Sequence, residues 1–310
     1  TTAKVDQIIQ EYEKKSANEQ QSTAKQYPNI ITVVNETFAD IKVLGDFKTN
    51  EDYMPYFHSL KKNCVTGYTY ASIVGGQTAN TEFELLTGNT LGFLSAGTTA
   101  FQLYIHGQMP SLVSNLKAEG YSGNKAMHPF NPYNYNRPAV YKDFGFTDFI
   151  DKFDFPKNVK RVREYISDEA NVDRIISEYE KNRKKTDQPF YMYNMTIQNH
   201  SPYDKDAANF KQPIKIESSK YDAEANRYLN LIKYSDDSLK QLTSYFEKCK
   251  EPTIILFLGD HQPRLTDEFM NKITNGQYQT WSSEQMMKRY QVPFVIWANY
   301  DIKEQHIEKT

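Results

Sequence analysis

Cysteine is almost absent from this chain: Cys64 and Cys249 are the only two among 310 residues. Neither belongs to a pair with metal-site spacing, which excludes a zinc–thiolate centre, and spacing alone leaves a disulfide between them open. Long apolar runs are absent as well. No stretch approaches the roughly 20 residues that a membrane-spanning helix needs, and the amino terminus lacks the apolar core of a secretion signal. An excess of charge is also missing, since 37 Lys and Arg face 39 Asp and Glu for a net charge of −2. With no basic field and no acidic tail, nucleic acid is not an expected partner. No internal repeat is visible.

Aromatic side chains are present in quantity, with 23 Tyr and 18 Phe. Such a surface suits sugars, glycerol and other polyols, while many of these rings will fill the core. The length allows one large α/β domain or two ordinary ones. Residues 1–27 are rich in Lys, Glu, Gln, Ser and Ala, with a weak helical repeat at Val5, Ile8, Ile9 and Tyr12. They read as a polar linker or lead-in helix ending at Tyr27-Pro28. The folded domain is expected over residues 28–310, opening with the strand Ile30-Ile31-Thr32-Val33-Val34.

The strongest strand pattern is Thr253-Ile254-Ile255-Leu256-Phe257-Leu258, which stops at Gly259 and then presents Asp260 and His261. In an open α/β sheet, ligands bind at the carboxyl ends of the strands. An Asp-His pair placed there points to a metal-dependent hydrolase or transferase, and a strand followed by a polar turn is the plain alternative. The first strand ends in the same way, at Asn35-Glu36-Thr37-Phe38, so Glu36 joins the candidate ligands. Residues 68–74 read as a possible strand that leads through Gly75-Gly76 into a helix at Thr78. A side-chain oxygen at that point lies where backbone N–H groups face an anion, and a simple N-cap is the competing role.

A helical pattern covers 110–119 up to Gly120, and a Pro- and Asn-rich loop runs from His128 to Pro138. A charged helix over 168–185 precedes a strand over 188–197, whose end carries Gln198-Asn199-His200-Ser201-Pro202. A long amphipathic helix over 221–248 leads into the Asp-His strand, and the last strand is Val292–Ala298. This alternation predicts an α/β fold: a mostly parallel central sheet covered by helices on both faces.

Five ordered motifs carry a family resemblance: Asn35-Glu36-Thr37-Phe38, the run Gly76-Gln77-Thr78-Ala79-Asn80-Thr81-Glu82-Phe83, Tyr135-Asn136-Arg137, Asn199-His200-Ser201-Pro202 and Gly259-Asp260-His261. Together they resemble the lipoteichoic acid synthase family, phosphoglycerol transferases of the alkaline phosphatase/sulfatase superfamily, from about Pro28 to the end. The resemblance implies a sulfatase-like fold and one divalent metal, Mn²⁺ with Mg²⁺ as the alternative, held by Glu36, Thr78, Asp260 and His261. Hard carboxylates with one imidazole suit such an ion, and direct binding to the Thr78 oxygen favours its nucleophilic alkoxide. His200 matches a substrate-contacting histidine able to protonate a leaving alkoxide. Arg137 matches a phosphate-gripping residue, and His128 and Tyr135 match the substrate pocket. The chain departs from the family where Tyr135 replaces a Trp and Phe130 replaces an Asp, both on the substrate side.

The activity implied is transfer of glycerol phosphate from phosphatidylglycerol, through a glycerophospho-threonine at Thr78, to a glycolipid-linked polymer such as lipoteichoic acid or to a cell-wall polysaccharide. The resemblance further implies transmembrane helices upstream of Thr1, residues 1–27 as a juxtamembrane linker, an extracellular catalytic domain, a Gram-positive source, and C-terminal structure continuing past Thr310. The alternatives within the same superfamily are a phosphodiesterase and a phosphoethanolamine-type transferase, the latter disfavoured by the scarcity of cysteine; a non-catalytic domain binding glycerol phosphate is a third. No amphipathic aromatic helix announces a membrane-docking face.

Overall fold

The structure is a computed structural model, and it describes residues 4, 7, 10, 27–95, 97–217, 223–276 and 278–307. Among the described residues ten strands are formed: β1 (Asn29–Asn35), β2 (Cys64–Tyr70), β3 (Ser122–Met127), β4 (Asp148–Ile150), β5 (Arg161–Val162), β6 (Tyr165–Ile166), β7 (Phe190–Met195), β8 (Thr253–Gly259), β9 (Gln291–Ala298) and β10 (Gln305–Ile307). Eight of them build one sheet in the order β10-β2-β9-β8-β1-β7-β3-β4, and β5 and β6 form a separate hairpin.

The central strand β1 runs parallel to both β7 and β8. Its last residues pair Val34 with Met195 and Asn35 with Gly259, so three carboxyl ends reach the same edge together. Apolar residues alternate between two cores, as the twofold period of a strand requires. On β7, Phe190 and Met192 belong to the core under helices Asp168–Arg183 and Ala223–Phe246. Tyr191, Tyr193 and Met195 face the other core, under helices Thr78–Thr87, Leu112–Ala118 and Arg137–Asp143. The sheet is thus covered on both faces and mostly parallel; β9 alone reverses, pairing antiparallel with β2 and β8.

Several boundaries differ from the sequence reading. The strand expected over 68–74 sits earlier, at Cys64–Tyr70, because its ladder with β9 ends at Tyr70 opposite Gln291. The helix expected over 110–119 begins at Leu112, behind Ser111, whose Oγ accepts from the Ser114 N–H. Within the His128–Pro138 loop, a tight turn at Asn134–Asn136 feeds a helix that begins at Arg137, with Pro138 in its first turn. In the segment 1–27, Lys4, Gln7 and Gln10 are helical and exposed, and the apolar repeat from Val5 to Tyr12 lies outside the described residues. Cys64 and Cys249 are both free thiols. Among the described residues, no helix is long and apolar enough to cross a membrane.

Candidate active site

The ends of β1 and β8 approach so closely that only glycine fits at position 259. A Cβ there would lie 1.9 Å from the Phe38 carbonyl oxygen. The turn after β1 closes onto the next side chain: the Thr37 N–H donates to Asp260 Oδ1 at 2.6 Å, and the His261 N–H donates to the same oxygen at 2.8 Å. Asp260 Oδ1 is thereby satisfied and Oδ2 is left over. His261 donates its Nδ1 proton to the Gln262 carbonyl at 3.0 Å, which leaves Nε2 as the ring nitrogen that faces the two carboxylates. That Nε2 lies 3.1 Å from Asp260 Oδ2 and 3.8 Å from Glu36 Oε1. Among the described residues, both Asp260 Oδ2 and His261 Nε2 are buried without a hydrogen-bond partner.

Glu36, Asp260 and His261 form the one group of metal-binding type found among the described residues, with ligand atoms all within 4.8 Å of one another. Burial pushes the Asp260 carboxyl up to about 6; His261 opposes this and the neighbouring Glu36 charge adds to it. Burial opposes a charge on His261, but Asp260 and Glu36 overcome it and raise the imidazole, so two buried carboxylates at one point are electrostatically costly unless a positive charge lies between them. A divalent cation relieves that cost, and a donor set of carboxylate oxygens with one imidazole fits Mn²⁺ or Mg²⁺.

Thr78 comes to this cluster from a third element. The chain crosses Gly75 and Gly76 with φ of 69° and 149°, and Gln77 at φ 63° is the helix N-cap. Thr78 is therefore the first helical residue and not the cap. Its Oγ1 donates to Glu36 Oε2 at 3.4 Å. One turn later Thr81 Oγ1 donates to the Asp260 carbonyl at 2.7 Å and holds the helix in register with the end of β8.

The cluster forms the floor of a cleft of about 430 Å³ whose walls include His128, Tyr135, Arg137, His200 and Arg264. His128 donates Nδ1–H to the Met195 carbonyl at 2.9 Å, and burial keeps it neutral, well below the usual imidazole range, with the Arg137 charge adding to the effect. Arg137 is almost wholly buried, and its Nε and Nη2 both donate to Glu82 Oε1, at 3.1 and 2.6 Å. That edge of the fork is committed, so Nη1 is the part left for a ligand, beyond a 3.4 Å contact to the Asn134 carbonyl. The Tyr135 ring lies 5.1 Å from the same guanidinium. His200 holds Nδ1 on the Ser201 carbonyl at 2.6 Å and stacks on Phe130 at 6.4 Å, leaving Nε2 for a substrate.

All eight residues singled out from the sequence thus meet in one place. Thr37, Glu82 and Arg264 were not among the candidate residues. Thr37 bridges the site by donating its Oγ1 to Glu36 at 2.8 Å and its N–H to Asp260, from a left-handed backbone at φ 54°. Nothing in a Glu-Thr dipeptide signals that conformation. Glu82 is likewise invisible as the partner of Arg137, from which it is separated by 55 positions.

The profile of the sulfatase family matches residues 28–310. A provisionally named cyclic beta-1,2-glucan modification protein of Rhizobium meliloti (strain 1021) is 33% identical over 286 residues, covering 90% of this chain and 43% of its own length. The lipoteichoic acid synthase-like YvgJ of Bacillus subtilis (strain 168) is 27% identical over 237 residues, 75% of this chain and 36% of that protein. The chain spans less than half the length of these curated relatives. Among solved structures, the Streptococcus pyogenes phosphoglycerol transferase GacH in complex with sn-glycerol-1-phosphate superposes with a TM-score of 0.77 at 20% identity, over 99% of this chain and 79% of that one. The lipoteichoic acid synthase LtaP of Listeria monocytogenes follows with a TM-score of 0.71 at 22% identity, over 90% and 69%.

Proposed function

Because the chain belongs to the sulfatase family, we propose that it is a metal-dependent phosphoglycerol transferase that takes glycerol phosphate from phosphatidylglycerol and passes it through Thr78 to a hydroxyl of a cell-envelope polymer. The observation that carries this reading is the Thr78 hydroxyl, donated to Glu36 at the floor of a cleft beside two orphaned ligand atoms. Glu36, Asp260 and His261, with the Thr78 oxygen, would hold the ion. A bound Mn²⁺ or Mg²⁺ acidifies the threonine hydroxyl and shields phosphoryl charge.

The chain's own groups supply the remainder. Thr78 Oγ attacks phosphorus while its proton passes toward Glu36, and the bond from phosphorus to the diacylglycerol oxygen breaks. The Nη1 edge of Arg137 offers a charged donor to the phosphoryl group. His200 Nε2, when protonated, gives the departing alkoxide its proton and then accepts one from the incoming acceptor hydroxyl. Neutral His128, held by Met195, presents an Nε2 acceptor to a glycerol hydroxyl, and Tyr135 with Phe130 walls that end. The acceptor hydroxyl then attacks the glycerophospho-threonine, the bond from phosphorus to Thr78 Oγ breaks, and that oxygen takes back the proton passed toward Glu36. The domain works outside the cell in this reading, carried by a membrane region beyond these 310 residues.

A polysaccharide acceptor is favoured over a growing lipoteichoic acid chain by one finding: the relative at 33% identity is named for glucan modification, whereas the synthase-like relative stands at 27%. Turnover of fluorescent phosphatidylglycerol in detergent tests the donor and nucleophile. Diacylglycerol release should need Mn²⁺, stop with chelator and vanish in Thr78→Ala; release that persists in that variant would sink the assignment.

A further inference from the structure

His200 stands past Met195, the last residue of β7, where the ladder with β1 has already ended. Its reach over the cleft therefore depends on what holds the loop 198–202. On the inner side Asn199 is tied down: its Nδ2 donates to Asn35 and Ser235, and its carbonyl accepts from the Tyr203 hydroxyl at 2.9 Å. On the outer side the loop is gripped from the β5–β6 hairpin, which stands apart from the main sheet. Arg163 Nη1 donates to the Pro202 carbonyl at 2.7 Å, and Nη2 donates to the Gln198 and His200 carbonyls at 2.8 and 2.7 Å. Hydrogen bonds from a cation are the strong ones, and the planar fork spans both sides of His200 at once.

The hairpin gives this arginine a strained seat. Arg163 and Glu164 make the turn between Val162 and Tyr165, and Arg163 takes the left-handed conformation at φ 55°, where glycine or asparagine fits with less strain. Asn209 Nδ2 pins that backbone by donating to the Arg161 and Arg163 carbonyls at 3.1 and 2.9 Å. Turn geometry does not call for an arginine here; the three carbonyls do. The guanidinium lies between two rings, 5.2 Å from Tyr165 and 5.8 Å from Tyr203. The same hairpin also steers the imidazole: the Tyr165 hydroxyl lies 3.4 Å from His200 Nδ1, and the two ring centroids are 5.8 Å apart. Arg163 is not a wall of the cleft, so its effect on turnover passes through the loop that carries His200.

We propose that Arg163 is a positioning residue for the leaving-group step, holding His200 Nε2 at the oxygen that departs from phosphorus. The proposal rests on the reading of His200 as proton donor to that oxygen. Two donors carrying the same glycerol phosphate test it: phosphatidylglycerol, whose alkoxide needs a proton, and the p-nitrophenyl ester of glycerol phosphate, whose phenolate leaves without one. In the first turnover, Arg163→Ala should release diacylglycerol about 100-fold more slowly and p-nitrophenolate with a far smaller loss. Millimolar guanidinium should restore part of the rate. Arg163→Lys keeps the charge but not the fork; it should show a milder loss with the same selectivity, and it carries the test should the alanine variant unfold. In a His200→Ala background, Arg163→Ala should cost nothing more. Equal losses on both donors, additive losses in the double variant, or wild-type rates in both Arg163 variants would each overturn the proposal. In histidine-labelled protein, the imidazole NMR signal that His200→Ala removes should shift in Arg163→Ala while that of His128 stays; an unmoved signal would overturn the proposal too. A shifted signal with no turnover of either donor by wild type would sustain the grip on His200 and count against the transferase reading instead.

Discussion

At the scale of single residues, the candidate metal centre is organised by hydrogen bonds that use up the wrong atoms. Thr37 and His261 both donate to Asp260 Oδ1, and Gln262 takes the His261 Nδ1 proton, so only Asp260 Oδ2 and His261 Nε2 remain for an ion. Asp260→Asn keeps the shape but removes a charge and turns one of the two side-chain atoms into a donor. It should lower Mn²⁺ affinity by at least about 100-fold, the upper end seen for losing outer-shell partners. Titration calorimetry of the metal into wild type and variant reads this directly, and equal affinities would mean that the cluster is not the metal site. Two members of the candidate cluster were legible in the sequence because each follows a strand-forming run rich in branched apolar residues: Ile30–Val34 before Glu36, and Thr253–Leu258 before Asp260. Thr37 was not, since its backbone conformation at φ 54° is imposed by the closure of the turn onto Asp260.

At the scale of elements, the loops that carry Glu36 and His200 are tied to each other behind the cleft. Asp168, the first residue of helix Asp168–Arg183, accepts at Oδ2 from Asn35 Nδ2 at 2.8 Å and from Ser235 Oγ at 2.6 Å. Its N–H donates to Gln198 Oε1, and Asn199 Nδ2 donates to both Asn35 and Ser235. The β1 end, the β7 end and two helices thus share one buried polar knot. Asp168→Ala strands the Asn35 amide and the Ser235 hydroxyl, which should cost on the order of 2 kcal/mol in urea unfolding. The strand ends shift with it, so turnover should fall as well; a variant as stable and as active as wild type would show that the knot positions nothing. The elements tied here were readable as helices and strands from periodicity, but the knot was not, because its members lie far apart in sequence and polar residues carry no pattern that marks them as buried. The same limit hid the reversal of β9: Val292–Ala298 is apolar on both faces, and an apolar run has no direction.

At the scale of the whole molecule, a second polar cluster lies away from the cleft and links the loop after β1 to β2. Asp40 accepts from the hydroxyls of Tyr53 and Tyr68 and from the backbone N–H of Lys42, and it faces His58 Nε2 at 3.4 Å. His58 Nδ1 meets Asp52 at 2.7 Å. The Asp40 hydrogen bond, with Asp52 adding to it against burial, raises the His58 imidazole from 6.5 to about 9. A pKa raised in the folded state means that the native form binds the proton more tightly, so the cluster stabilises the fold fully below about 6.5 and loses its contribution as pH rises through about 9. With part of the effect screened by water at the exposed edge of the ring, that contribution is on the order of 2 kcal/mol. His58→Gln removes the titration but keeps one donor. The stability gap between wild type and His58→Gln, measured by urea unfolding, should therefore be largest at and below about pH 6 and close between about pH 6.5 and 9. A gap that stays constant across that range would mean that His58 stabilises the loop by shape and hydrogen bonding rather than by its charge, and that Asp40 is balanced by the two tyrosines and Lys42 alone.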